Sequence, residues 1–310
     1  MKRIAWVVLF LLIAASALAA PPKPGRTDMV LHEGGFKRTF ALWVPKNYVD
    51  GTPFPLVVAL HGAGGTGDQV LDRYGWAAKA DAENFLVIAP DALAQVPERK
   101  SRFLTNPQVW NDGSGRAFSG KNHVDDVRFI EKAIETVASQ YAVDHKRIFV
   151  TGFSNGGSMT FNLIARSTMF AAAAPAGNAN WVGVIKAVKP IPVWYLIGGK
   201  DPLNPKEGGD IKLPWGITTT KPPIAQSVSE AKTMLGCSGT PKNDTSRAGI
   251  RTETWTDCAP GASLRFTVIE NAGHVWPGAK RKLPKNWVGN PAPEMDATAE
   301  IWQFFKNTAK

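Results

Sequence analysis

The sequence predicts an α/β fold in which a mostly parallel sheet carries helices on both faces. Three observations point there. Short, uninterrupted apolar runs recur along the chain, bounded by turn residues. Stretches with a helical period lie between them, as the crossovers of a parallel sheet require. The third is local: Gly152-Phe153-Ser154-Asn155-Gly156 follows the run Arg147 to Thr151 and precedes the helix-compatible segment Gly157 to Arg166. That is a strand–turn–helix arrangement in which glycines two before and two after a serine remove side chains that would clash on so tight a turn.

The elements follow in order. Lys2 and Arg3 precede an apolar stretch from Ile4 to Ala15, and Ala17-Leu18-Ala19 then supplies a small-residue cleavage pattern. Residues 1–19 are expected to be an export signal, since the apolar part is shorter than the roughly 20 residues a spanning helix needs. Residues 20–310 are expected to form a single domain. Arg38 to Val44 alternates like a half-buried strand, while Leu56 to Leu60 and Phe85 to Pro90 read as buried parallel strands flanking a helix over 68–83. Asp91 to His123 shows no period and is rich in Gly, Ser, Asn and Arg, and a loop of that length is usually functional or disordered. Val127, Ile130, Ile134, Val137 and Tyr141 mark the apolar face of a helix from Val124 to Tyr141. Asp125 and Asp126 at its start suit the positive end of the helix dipole and are not expected to be catalytic. Val193 to Ile197 and Leu264 to Ile269 are further strands, and Ala297 to Phe305 is a closing helix.

The formal net charge is +10, or +8 without Lys2 and Arg3. The basic residues are scattered, with a mild cluster over Lys280 to Lys285, so a solvated surface is expected and no nucleic-acid partner. No later stretch is apolar enough to span a membrane, so no membrane association is expected after signal cleavage. The expected location is periplasmic or secreted. Cys237 and Cys258 are the two cysteines, and an even count in an oxidising compartment predicts one disulfide. Two cysteines cannot build a thiolate zinc site and no histidine pair has ligand spacing, so no metal is expected.

A serine hydroxyl needs a base to take its proton, normally a histidine oriented by a carboxylate. In the α/β-hydrolase fold these follow one another as serine, acid, histidine. Of the five histidines, His32, His61, His123 and His145 precede Ser154, and His274 alone follows it, just after the last strand. Asp201, nearest the end of the Val193–Ile197 strand, is the favoured acid, with Glu207 and Asp210 as rivals. A tetrahedral transition state also needs two backbone N–H donors. Asn155 supplies one, and the small-residue loop His61-Gly62-Ala63-Gly64-Gly65 supplies the other, from Ala63 or from Gly62. His61 is expected to hold that loop by hydrogen bonds. Trp276, two residues beyond His274, and Trp110, in the long loop, are candidate substrate contacts, although most of the 11 tryptophans must be core. No organic cofactor is required.

His61-Gly62-Ala63-Gly64-Gly65, Val124-Asp125-Asp126-Val127, Gly152 to Gly157, Asp201-Pro202 and Gly273-His274-Val275-Trp276-Pro277-Gly278 resemble the secreted esterase family of polyhydroxybutyrate depolymerases and feruloyl or acetylxylan esterases. The resemblance runs from about Thr39 onward. It implies an α/β-hydrolase catalytic domain, a Ser154–Asp201–His274 triad, a small or oligomeric ester substrate and a disulfide near Cys237 and Cys258. The chain departs from the family at Gly198, often a histidine there, and over Asn111 to Gly120, which lacks a cysteine pair. The residues leave three alternatives open: an acyltransferase with the same triad, a peptidase of the same fold, or a non-catalytic polymer- or carbohydrate-binding scaffold. Oligomeric state is open.

Overall fold

The computed structural model describes residues 23–279 and 283–308. The signal expected at residues 1–19 lies outside the described residues, as do Lys280, Arg281 and Lys282 of the basic cluster.

In chain order the strands are β1 (Gly25–Glu33), β2 (Phe36–Val44), β3 (Phe54–Leu60), β4 (Leu86–Pro90), β5 (Val143–Phe153), β6 (Ala172–Ala176), β7 (Pro192–Gly198), β8 (Gly209–Lys212), β9 (Thr218–Lys221), β10 (Lys242–Asp244), β11 (Ile250–Trp255) and β12 (Ser263–Ile269). The helices are α1 (Trp76–Glu83), α2 (Ala117–Lys121), α3 (Asp126–Ala138), α4 (Asn155–Arg166), α5 (Ile224–Leu235), α6 (Lys285–Val288) and α7 (Ala297–Thr308). The main sheet runs β1-β2-β4-β3-β5-β6-β7-β12-β11-β10. From β4 to β12 the neighbours are parallel, and antiparallel strands close both edges. This is the α/β-hydrolase fold.

Side-chain alternation splits the core into two layers. Leu56, Val58 and Leu60 of β3 join Phe129 and Ile130 of α3, Phe161 and Leu163 of α4 and Met234 and Leu235 of α5 on one face. Val57 and Ala59 join Trp76 of α1 and Ile301, Trp302 and Phe305 of α7 on the other. Strands buried on both faces cannot alternate polar with apolar, which is why these read as continuous apolar runs.

The helix expected over 68–83 is broken. A π-helical turn, Gln69–Arg73, ends at Tyr74, and Gly75 at φ 79° starts α1 anew. Asp125 caps α3 by accepting from the Arg128 N–H at 2.9 Å. Asp126, at the first turn of α3 as the dipole reading expects, is buried. Its Oδ1 lies 2.6 Å from the Arg38 guanidinium, and both side chains are fully enclosed. Among the described residues no helix is long and apolar enough to cross a membrane.

Cys237 and Cys258 form a disulfide across a separation of 21 residues, tying the end of α5 to the chain beyond β11. Replacing both by serine is expected to lower unfolding stability by about 3 kcal/mol, the chain-entropy value for a loop of this size. Urea unfolding of the double variant beside the oxidised protein reads this directly. A shift under about 1 kcal/mol would show that the cross-link constrains little of the unfolded chain.

Candidate active site

Phe153 ends β5, Asn155 opens α4, and Ser154 stands alone between them at φ 57° and ψ −122°. A non-glycine residue there costs on the order of 1–3 kcal/mol and persists only where its surroundings hold it. The Ser154 N–H donates to the Ala176 carbonyl at 2.8 Å. A Cβ at Gly156 would sit 2.5 Å from the His61 carbonyl oxygen and 2.6 Å from that of Leu60. The start of α4 therefore lies directly against the end of β3, and any side chain at Gly156 would part them.

His274 Nε2 is 2.9 Å from Ser154 Oγ, and its Nδ1 is 2.7 Å from Asp201 Oδ2. A carboxylate only accepts, so the imidazole proton resides on Nδ1 and Nε2 is free to accept from the hydroxyl. Asp201 Oδ1 accepts from the N–H groups of Leu203 and Asn204, both at 2.8 Å, which fixes the carboxylate plane. Asp201 and His274 are buried and Ser154 is partly exposed. Of the rival acids, Glu207 is exposed and Asp210 accepts from Thr220 within the β8–β9 hairpin. Gly198 has no room for the histidine often found in the resembling family, because a Cβ there would lie 2.6 Å from the Ala272 carbonyl.

Next to the hydroxyl, Gly62 lies so close that a Cβ on it would be 3.1 Å from Ser154 Cβ. Among the described residues, the backbone N–H groups of Ala63 and Asn155 have no hydrogen-bond acceptor. The loop that carries Ala63 is held by His61. The ring Nδ1 is 2.7 Å from the Gly62 carbonyl and the ring Nε2 is 3.1 Å from the Ala92 N–H. Only a neutral imidazole protonated on Nδ1 makes both bonds, and burial pushes its pKa below the usual 6.5.

Both tryptophans named as substrate contacts are core residues instead. Trp110 is fully buried, donates from its indole to the His61 carbonyl at 2.9 Å and lies 5.0 Å from the His61 ring. Its backbone N–H donates to Asn155 Oδ1 at 2.7 Å. Trp276 is buried behind His274, stacked on Tyr74 at 4.9 Å and bonded to Thr298 Oγ1. Neither ring has a free face for a ligand.

The structure gives further residues a part in the site. Buried Asp112 accepts from Asn155 Nδ2 at 2.8 Å and pairs with Arg116 at 2.9 Å. Asp126 Oδ2 accepts from the Asn111 N–H at 2.7 Å. Phe103 and Trp215 meet over Gly64, with ring centres 5.5 Å apart and the Trp215 indole donating to the Phe103 carbonyl. They come from the segments 91–123 and 208–223, and no apolar period marks either one.

The sequence profile of the prolyl oligopeptidase family matches residues 110–209. The chain is 28% identical over 237 residues to feruloyl esterase B of Piromyces equi, covering 74% of this chain and 41% of that protein. It is 23% identical over 243 residues to a bifunctional acetylxylan esterase/xylanase of Neocallimastix patriciarum, covering 78% of this chain and 31% of that one. The chain thus spans well under half the length of these relatives. An acetyl xylan esterase structure from Aspergillus awamori superposes with a TM-score of 0.55 at 18% identity, covering 80% and 94% of the two chains.

The enclosed His61 gives stability a pH dependence. Its folded pKa is depressed, so below about 6.5 the unfolded chain takes up a proton that the folded one refuses. Stability is complete above that pH and is expected to fall as pH drops below it, by up to about 1.4 kcal/mol per unit. Urea unfolding between pH 7.5 and pH 5 should show this fall in the wild type and a shallower one in His61→Gln, and equal slopes would remove His61 as its source.

Proposed function

We propose that this protein is an exported serine carboxylic-ester hydrolase that works through an acyl-enzyme on feruloyl or acetyl esters of polysaccharides, or on hydroxyalkanoate esters. The observation that carries the reading is the unbroken hydrogen-bonded series Ser154 Oγ, His274 and Asp201 beside two backbone donors without acceptors. The similarity to feruloyl and acetylxylan esterases supports an ester as substrate. Export rests on the segment at residues 1–19.

In this mechanism His274 Nε2 takes the Ser154 proton as Oγ attacks the ester carbonyl. The negative charge that forms on the carbonyl oxygen is met by the N–H groups of Ala63 and Asn155, at the positive end of α4. Asp201 holds the imidazole in the tautomer the step needs and stabilises the imidazolium that results. His274 then gives the proton to the leaving alcohol, and the same groups direct water onto the acyl-enzyme.

The test compares the protein with Ser154→Ala on methyl ferulate, acetylated xylan, a short-chain p-nitrophenyl ester, a 3-hydroxybutyrate oligomer and an aminoacyl amide. Ester hydrolysis is expected in the wild type and a loss of roughly 10⁴-fold or more in the variant. Cleavage of the amide alone would replace the esterase reading with a peptidase one. Ester turnover that survives in Ser154→Ala would sink the serine mechanism.

A further inference from the structure

Outside the triad, the described residues hold one buried cation without a partner. Lys221, at the end of β9, is 8% exposed, and its ammonium makes no hydrogen bond or ion pair among the described residues. It lies 5.5 Å from the centre of the Trp181 ring, and the Arg116 guanidinium lies 4.6 Å from the same centre. Trp181 follows β6 and packs against the 111–116 loop, where a Cβ on Gly113 would be 3.2 Å from its carbonyl oxygen. The cluster is coupled to the serine. Arg116 Nη2 bonds Asp112 Oδ2, and that same oxygen accepts from the side chain of Asn155, the residue after the nucleophile.

Arg116 uses Nε on Ser114 Oγ at 2.7 Å and Nη2 on Asp112, which leaves Nη1 free. Two donors at the same indole, Lys221 Nζ and Arg116 Nη1, therefore have no acceptor among the described residues. A buried ammonium is unfavourable until an anion meets it. Burial and the Arg116 charge bring the Lys221 pKa down to about 7, while Asp112 and Asp201 pull it up. Two cationic donors without acceptors match the two oxygens of a carboxylate.

We propose that Arg116, Lys221 and Trp181 form a subsite for a carboxylate carried by the ester substrate, so that acidic esters are preferred over neutral ones of the same shape. The proposal rests on the esterase reading and gives it a substrate class.

Two matched pairs test it: monoethyl adipate against ethyl hexanoate, and para-carboxyphenyl acetate against para-tolyl acetate. The first carries the acid on the acyl side and the second on the leaving group. In at least one pair the charged ester is expected to have a kcat/KM higher by about tenfold, through KM, the scale of a charge-assisted hydrogen bond. That ratio should fall towards one in Lys221→Met and in Arg116→Gln and hold in Lys221→Arg. It should also decline as pH rises through about 7, where Lys221 loses its charge. Hydrolysis of the neutral esters with no preference in either pair would overturn the subsite and leave the esterase reading standing. If no ester is cleaved, calorimetric titration of Ser154→Ala with adipate reads the subsite alone. Binding that Lys221→Met abolishes supports it, and no binding overturns it.

Discussion

The contact between the end of β3 and the start of α4 is the constraint on which the site depends. At Gly156 the backbone of one element touches the carbonyls of Leu60 and His61 in the other, with no space for a side chain. That separation brings Gly62 close enough to Ser154 that a Cβ on it would lie 3.1 Å from the serine Cβ. The same closeness forces Ser154 to a positive φ, and the strain is offset by the bond to Ala176 and by the packing of the buried α4.

The contact is held from outside by the long irregular loop. Trp110 donates to the His61 carbonyl from its ring, and its backbone exchanges bonds with the Asn155 amide. One residue therefore ties the loop after β3 to the start of α4. Asn111 is in turn anchored to Asp126, and Asp126 to Arg38 on β2. Breaking a buried ion pair by removing one partner costs about 3–5 kcal/mol, similar to the roughly 3–4 kcal/mol an oxyanion donor supplies to a transition state. A loop fixed this strongly is a wall of the site rather than a lid.

Much of this was legible in the sequence, and the misses share a cause. β3, β4 and β7 announced themselves because strands buried on both faces are apolar throughout, and β5 and β12 through their buried C-terminal halves. β1, the β8–β9 hairpin and β10 are mostly exposed, so no alternation marked them. α5 had a usable cue in Ile224, Ala231, Met234 and Leu235, directly after Pro222-Pro223. Ser154, Asp201 and His274 could be named from chain order, since a single histidine follows the serine. Trp110 and Trp276 could not be placed, because composition does not say which aromatic rings are covered. Asp112 was out of reach for a stronger reason: its role depends on Asn155, 43 residues further along.

The departure at Gly198 bears on where specificity resides. With the His274 loop packed onto its backbone, that position cannot present a side chain to a substrate. The chain emerging from β7 instead supplies Asp201 and then the β8–β9 hairpin, which brings Trp215 over the oxyanion loop and Lys221 beside Trp181. On the proposed reading, any discrimination between esters on this side of the site falls to the hairpin rather than to the end of β7. An apolar pocket distinguishes substrates that differ by one methylene by only about 1–3 kcal/mol, whereas a site built to pair a polar group rejects analogues lacking it far more strongly. The carboxylate subsite proposed at Lys221 on that hairpin is the second kind of device.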